Sequence, residues 1–579
     1  MRFSDRIAWH WSIVIALAVF GCTVPASAPS VAQSRPIVIT VVGPNTALRA
    51  PGRGGVQVSS LAKALERVAA IRARDTARPV DVRLAPGRHA VVRPLKLDAR
   101  HARLNWGRLT ISGTRDGRST VTGLQPLRLR SVRTLPDAAR SVLRAVVPRE
   151  SLPRLRVAVL PQALRPQSPM AQHRFHPIAA APVGLLLADA SGPLRPARWP
   201  NVGWASAGPA TSGRTVELPG MPSLGPARAQ SNARVQAWVA GYFKYDWSFE
   251  TYPVSPFNGR LVGLSRAARY GLSAGARVRV EHHPALLDQP GEWVYLAGRS
   301  LLAVLPRAPG QKVMLAVPAH LLQIVGAANL TISDVVFTGA RGHAVTMDGV
   351  SSAALSRIVV SDSGGAGITV ERSVNVELTG VAISRTGEQG IILSGGDRER
   401  LLSGGLTVRD SIVWDFAQLG RTYKPGVALA GVGNAVVGGL ICNAPHQGIS
   451  VAGNAHTISG TVLSDLVTET SDSGAIYAGR DWTGRGTVIT GTVLEDIVGQ
   501  ARPAGGRFEV KGIYLDDMWS GTRIENNLFV NVEQPVFIGG GRDTTVASNR
   551  FVALGAGAPR APEGERAPPA VWLDARGLT

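Results

Sequence analysis

The segment LTISDVVFTG, Leu330 to Gly339, decides the fold, because its pattern returns eight more times in the C-terminal half of the chain. The later copies are AALSRIVVSD from Ala353, VELTGVAISR from Val376, LTVRDSIVWD from Leu406 and NAVVGGLICN from Asn434. HTISGTVLSD from His456, TVITGTVLED from Thr487, TRIENNLFVN from Thr522 and TTVASNRFVA from Thr544 complete the series. Each copy has an apolar residue near its start, a polar or small residue at its middle and an apolar residue three before its end. The intervals are 23, 23, 30, 28, 22, 31, 35 and 22 residues. Between copies lies a second apolar run, usually led by glycine. These runs are GITV from Gly367, GIIL from Gly390, GVAL from Gly426, GISV from Gly448, AIYA from Ala475, GIYL from Gly512 and PVFI from Pro535.

Two or three short strands per turn, with no room for helices, predict an all-β solenoid. In such a parallel β-helix each coil buries its inward residues only against its neighbours. A propeller blade needs about 40 residues or more, and a sandwich shows no such repeat. The longer intervals then read as insertions at one corner, where solenoids tend to build a functional face.

Working outward, PVDVRLAPGRHAV from Pro79, LTISGT from Leu109 and STVTG from Ser119 read as the first coils. Ahead of them, Ser59 to Arg74 carries Leu61, Leu65, Val68 and Ile71 at helical spacing behind a serine N-cap. One amphipathic helix before a run of strands suits a cap over the open end of a solenoid. Residues 37–134 are therefore expected to hold the cap and first coils. From 135 to 318 the repeat disappears into a proline- and arginine-rich stretch, expected to be an inserted β-rich domain. Its aromatics include Trp199, Trp204, Trp238, Tyr242, Phe243, Tyr245, Trp247, Phe249 and Tyr252, which suit either core packing or a sugar-stacking surface. The main β-helix is expected over 319–556, and a flexible tail with a final strand, AVWLDARGLT, over 557–579.

Residues 1–32 read as a secretory signal: Arg2 and Arg6, an apolar run from Trp11 to Phe20, then Ser30-Val31-Ala32. Val19-Phe20-Gly21-Cys22 also resembles a bacterial lipoprotein cleavage box, so a lipid anchor at Cys22 is the alternative. A secreted or periplasmic protein without a membrane span, working as a monomer, is expected. Cys22 and Cys442 are the only cysteines among 579 residues, which excludes a disulfide framework. Cys442 is expected to look inward. No CxxC or HExxH pattern signals zinc. The net charge of +23 rests on 63 basic residues of which only six are lysine. The arginines are scattered rather than striped and no nucleic-acid module appears, so a nucleic-acid partner is not expected.

Aligning the glycine-led runs puts Ile449, Ile476, Ile513 and Val536 at one inward position. Ser450, Tyr477, Tyr514 and Phe537 then point outward, because strand side chains alternate. A few residues on, Gly479-Arg480-Asp481-Trp482 lies beside Asp516-Asp517-Met518-Trp519. Trp482 is expected to stack on Trp519, Arg480 to lie beside Asp517, and Asp481 to sit roughly 6–8 Å from Asp516 or Asp517. Two carboxyls at that distance beside aromatic rings suit glycoside hydrolysis, one donating a proton and the other serving as nucleophile or base. Asp472 and Glu509 form a second acidic pair, four residues before the aligned isoleucines, with His446 one residue off in the preceding coil. Like charges side by side raise one pKa; a calcium ion or Arg507 could equally neutralise them. Arg542-Asp543 reads as an internal salt bridge.

These residues also carry a resemblance. DSGAIYAGRDW (Asp472 to Trp482), GIYLDDMWSG (Gly512 to Gly521) and FIGGGRD (Phe537 to Asp543) are similar to the core of bacterial right-handed parallel β-helix proteins of carbohydrate degradation. So are YKPGVALAG from Tyr423, APHQGISVAGNAH from Ala444, ARWPN from Ala197 and DQPGEWVY from Asp288. Among these the chain resembles the β-helix glycosidases, of α-1,3-galactosidase and β-xylosidase type. The resemblance implies a cofactor-independent glycosidase on an oligo- or polysaccharide, with Asp516 and Asp517 working with Asp481 or Asp472. Glu509, His446, Arg480, Lys511, Tyr477, Tyr514, Trp482 and Trp519 are then candidate substrate contacts. Two other classes stay open: a lyase or epimerase on uronates, using Lys511, Lys424, Arg480 or His446, and a non-catalytic glycan-binding surface protein.

Overall fold

The computed structural model describes residues 35–43, 56–173, 182–224, 236–500, 508–553 and 569–575. The signal reading, Cys22, Arg507 and the stretch before the final strand lie outside them. Among the described residues no helix is long and apolar enough to cross a membrane.

Each ten-residue copy is two strands joined at a corner. Leu330 to Gly339 spans the strands Ala328–Ser333 and Val336–Ala340, and the other eight copies divide in the same way. The glycine-led runs form the third strand of each coil. Among the described residues, stacking them gives three parallel sheets of 13, 11 and 11 strands, the last carrying one short antiparallel hairpin strand besides. The fold is the right-handed parallel β-helix that the repeat predicts.

What divides the copies is a backbone requirement. The fifth residue of every copy is left-handed: Asp334, Arg357, Gly380, Asp410, Gly438, Gly460, Gly491, Asn526 and Ser548 have φ between 48° and 67°. The tenth is left-handed too at Gly339, Asp362, Arg385, Asp415, Asn443, Asp465, Asp496 and Asn531. Glycine, asparagine and aspartate enter this region most readily, which explains the polar or small residue at mid-copy. Corners also tie to the next coil. Arg357 Nη2 donates to Asp334 at 2.9 Å, Arg385 Nε to Asp362 at 2.7 Å and Asn531 Nδ2 to Asp496 at 2.8 Å.

Inside, the third residue of each copy forms one column. Ile332, Leu355, Leu378, Val408, Val436, Ile458, Ile489 and Ile524 follow in register and none is more than 3% exposed. Burying a side chain of this size contributes about 1.5–3 kcal/mol, so the column is a main source of cohesion along the axis. The first helix, Leu61–Arg72, is capped by the Ser60 hydroxyl, which accepts from the Lys63 N–H at 3.2 Å. It lays Leu61, Ala64, Leu65 and Val68 on the end of the same core.

The inserted part begins at Leu124–Pro126 rather than at residue 135, because that strand pairs antiparallel with Met314–Ala316 at its far end. The solenoid closes over the interruption without losing register: Leu109 pairs with Leu330, Val121 with Phe337 and Leu95 with Leu322. The insert is β-rich with its own core and, among its described residues, one α-helix, Asp137–Val146. Arg277 is its main rivet. It binds Asp246 at 2.8 Å, donates to the Glu469 carbonyl at 2.7 Å and lies 4.5 Å from the Phe508 ring.

Cys442 does not look into the solenoid. Its neighbour Ile441 does, while Leu440 and Cys442 face outward into a small cluster with Ile412. Burial pushes its thiol up to about 12. The last strand, Val571–Asp574, adds in parallel to Gln534–Gly539 as one further rung.

The corner requirement is testable at Gly460, where φ is +61° and a Cβ would meet only the Gly438 nitrogen at 3.9 Å. Space is available, so the cost there is backbone strain. Gly460→Val is expected to destabilise by about 1–2 kcal/mol or more, and Gly460→Asn by clearly less, read from urea unfolding midpoints. Equal costs would contradict the requirement.

Candidate functional site

The register places the aligned columns where the repeat predicts. Ile449, Ile476, Ile513 and Val536 pair in sequence and are at most 1% exposed. One residue on, Ser450, Tyr477, Tyr514 and Phe537 follow in register on the opposite face, with Trp572 as a further rung. Their rings meet edge to face, Tyr477 and Tyr514 at 5.5 Å and 88°, Tyr514 and Phe537 at 5.0 Å and 80°. Tyr423 extends the row, 6.2 Å from Tyr477. Outward does not mean exposed: Tyr514 and Phe537 are 1% and 3% accessible.

Two carboxylates converge on this row. The Tyr477 hydroxyl donates to Asp516 Oδ2 at 3.0 Å, and the Tyr514 hydroxyl to Asp472 Oδ1 at 2.9 Å. Tyr514 also bears on Asp516, lowering its pKa, so the two carboxyls share one aromatic row. Asp516 ends the strand Val510–Asp516 and is 7% exposed. Burial, then the charge of Asp517, raises its pKa above the ordinary carboxylate value, outweighing the bonds from Tyr477 and Tyr514. Burial likewise raises Tyr477 and Tyr423, which therefore stay protonated as donors.

Asp517 turns away from Asp516 to Arg480, at 3.1 Å, as the alignment predicts. Here the strand breaks. Asp517 and Met518 are consecutive left-handed residues at φ 37° and 65°. Such strain in non-glycine residues persists only where surrounding structure holds it, and it gathers at functional sites.

That break undoes the expected tryptophan stack. Past Asp516 the alternation of faces no longer applies, and Trp519 swings into the solenoid core. It is 1% exposed there, and its indole N–H donates to Thr522 Oγ1 at 2.8 Å. Trp482 stays outside at 61% exposure, with the Arg542 guanidinium 5.8 Å from its ring. Trp519 thus cannot touch a substrate. Arg542 and Asp543 form the salt bridge read from their sequence.

Asp481 is engaged elsewhere. It pairs with Arg398 and accepts from the Thr483 hydroxyl at 2.6 Å. Burial works to raise its pKa, but the bonds from Thr483 and Arg398 prevail and hold it below the usual range. Arg398 comes from the hairpin Ile391–Asp397 with Leu402–Ser403, inside one of the long intervals.

Asp472 and Glu509 are neighbours, the Asp472 N–H donating to the Glu509 carbonyl at 2.8 Å. Calcium does not fit between them, because the ammonium of Lys511 holds that position, 3.1 Å from Asp472 and 2.8 Å from Glu509. Among the described residues no group of three or more His, Cys, Asp or Glu could hold a metal ion. Lys511 is 0% exposed and 4.4 Å from the Tyr514 ring. His446 lies beneath, 2.8 Å from the Thr470 hydroxyl and 4.9 Å from the Tyr423 ring. Burial lowers its pKa to about 3, so it is a neutral imidazole in the fold. Lys424 is buried against Glu388 at 3.4 Å, outside this cluster.

Tyr423, Arg398 and Tyr270 of the insert were not legible as site residues. Tyr270 bears electrostatically on Tyr423. A cavity of about 700 Å³ lies between the insert and the coil corners, lined by residues that include Arg198, Trp204, Arg279, Arg421 and Glu469. None of the four candidate aspartates lines it.

Residues 320–480 match the family model described as a right handed beta helix region. No curated protein matches the chain. A solved structure described as "Glycoside hydrolase" is similar over 93% of this chain and 96% of its own, with 9% identity and a TM-score of 0.58. The complex of XylC with xylose covers 93% of this chain and 86% of its own, with 8% identity and a TM-score of 0.45. The A-module of the Azotobacter vinelandii mannuronan C-5 epimerase AlgE4 covers 44% of this chain and 67% of its own, with 12% identity and a TM-score of 0.26. At such identities likeness speaks for fold alone, and on the sheets, the corners and the matched segment this chain is a right-handed parallel β-helix protein.

Proposed function

We propose that the chain is a secreted or periplasmic glycoside hydrolase whose proton donor is Asp516 and whose opposing carboxylate is Asp472. The observation that carries this reading is a pair of carboxyls of unlike surroundings, each accepting from a tyrosine hydroxyl of one aromatic row. Asp516 is buried beside the charge of Asp517, and both raise its pKa above the ordinary carboxylate value. Asp472 is salt-bridged to Lys511 and so suited to act as an anion. Pairs whose environments push them apart divide into acid and base. Asp516 gives its proton to the leaving oxygen while Asp472 attacks the anomeric carbon, and water then releases the sugar with Asp516 as base. Tyr477 steadies Asp516 throughout, and Arg480 pairs with Asp517 beside it. The likeness to a glycoside hydrolase over nearly the whole of both chains is consistent with this assignment.

The test is hydrolysis of neutral oligosaccharides, aryl glycosides and uronate polymers, reading reducing ends and unsaturated-uronate absorbance together. Reducing ends without absorbance are expected; absorbance would turn the assignment to a lyase, and neither signal would leave a binding protein. Asp516→Asn is expected to lower the rate on glycosides with poor leaving groups by about 10²–10⁴-fold, and much less on aryl glycosides with acidic leaving groups. A uniform loss would remove Asp516 from the proton-donor role. Direct attack by a carboxylate such as Asp472 is the retaining route, so NMR of the first-formed product should show retained configuration. Inversion would replace Asp472 by a more distant base.

Stability follows from the same shift. A carboxyl whose pKa is raised by folding contributes stability below its unfolded pKa, here 3.8, and loses it as pH rises through the folded value. Asp516→Asn, which cannot ionise, is therefore expected to unfold at a higher temperature than wild type at pH 7, the difference closing below about pH 4. A lower melting temperature at pH 7 would contradict the raised pKa.

A further inference from the structure

The inserted domain carries three rings that its core does not use. Tyr245 and Trp247 lie in the turn between the strands Trp238–Tyr242 and Phe249–Asn258, and they stack in parallel with centroids 5.0 Å apart and planes 6° apart. Tyr270 stands edge-on to both, at 5.5 and 5.0 Å. Tyr245 is 40% exposed and the other two are half-buried. On the flanking chain Tyr242, Phe243, Phe249 and Tyr252 are at most 2% exposed. The same hairpin thus divides its aromatics into a buried set and a surface set. Keeping three large rings together at a surface leaves apolar area in water, which marks such patches as interaction sites.

Their position is fixed relative to the aspartates. Asp246, between Tyr245 and Trp247, is held by Arg277, which also binds the Glu469 carbonyl at 2.7 Å and covers Phe508 at 4.5 Å. Glu469 lies just before Asp472, and Phe508 just before Glu509 and Lys511. One guanidinium therefore clamps the aromatic turn to both segments that build the acidic end of the site. Tyr270 bears electrostatically on Tyr423, the first ring of the solenoid's aromatic row. The Lys244 ammonium and Arg269 guanidinium flank the platform, 5.3 and 5.6 Å from the Tyr245 and Tyr270 rings.

We propose that Tyr245, Trp247 and Tyr270 form a sugar-stacking subsite for the part of a saccharide that extends beyond the residue held at Asp472 and Asp516. It rests on the hydrolase reading only for where the first sugar lies. The occupant is a neutral oligosaccharide longer than a disaccharide: the C–H face of a pyranose lies on the ring surface, as amphipathic aromatics favour, and the flanking cations donate to its hydroxyls. An isolated acidic sugar would need an ion-pairing pocket, whereas the platform presents rings at its centre and cations only at its edge.

The test is calorimetric titration of the full chain carrying Asp516→Asn, which holds substrate without turnover. The probes are cellohexaose, xylohexaose, mannohexaose and laminarihexaose with their disaccharides, and hexagalacturonate as the acidic arm. At least one neutral hexasaccharide is expected to bind, and adding Trp247→Ala should weaken it by about tenfold or more while its disaccharide changes less than twofold. Trp247→Phe, which keeps a ring, should restore most of the affinity, and unchanged melting temperatures would show all variants folded. Equal weakening of both lengths, no weakening, or binding of hexagalacturonate alone would overturn the subsite. If the wild type cleaves no glycan yet chain-length-dependent binding needs Trp247, the hydrolase reading falls and the subsite stands. If it cleaves a hexasaccharide with a KM untouched by Trp247→Ala, the subsite falls and the hydrolase reading stands.

Discussion

Every coil must turn corners that L-amino acids enter reluctantly, and the rest of the structure depends on where it does so. Nine left-handed residues, one per copy, set the junction of the first two sheets, and eight more set the next corner. Because the corners recur at fixed places in each copy, the column of Ile332, Leu355, Leu378 and their successors stays in register, and extra residues can leave only between strands. The insert of some 190 residues departs and returns at such a place, with Leu109 still pairing to Leu330.

The candidate site uses that register and departs from it at one point. In-register tyrosines supply hydroxyls to Asp472 and Asp516 from two successive rungs. The cost is a fully buried lysine. Lys511 is tolerable only because Asp472 and Glu509 both accept from it, and removing either leaves a buried ammonium poorly matched. The departure comes at Asp517 and Met518, whose left-handed pair ends the strand, sends Trp519 into the core and aims Asp517 at Arg480. Burial for one aspartate, a lysine for the second and an arginine for the third give three carboxylates three environments within one patch.

Much of this was legible in the sequence because a recurring unit of fixed length is a set of coordinates. The columns through Ile476 and Tyr477, the Arg480–Asp517 contact and the Asp472–Glu509 adjacency all follow from strand alternation and one alignment. Alternation is valid only while the chain is a strand, so Trp519 was misplaced as soon as Asp517 left it. Cys442 was misplaced by taking a whole apolar strand as inward when only Ile441 is. Partners far away in sequence carry no local signal: Arg398 reaches Asp481 from a hairpin three coils back, and Tyr270 of the insert bears on Tyr423. The fate of the acidic pair was a matter of competition, and Lys511 wins over a metal because it is covalently present between the two carboxylates.

The central claim is that the Tyr477–Tyr514 rung, with Asp472 and Asp516, is where a sugar binds. The most direct measurement is a crystal structure of Asp516→Asn soaked with the longest oligosaccharide the protein retains. A pyranose ring between residues 472 and 516, with its glycosidic oxygen within hydrogen-bond distance of residue 516, is the predicted result. A saccharide bound instead in the arginine-lined cavity, or on another face of the solenoid, would contradict the account.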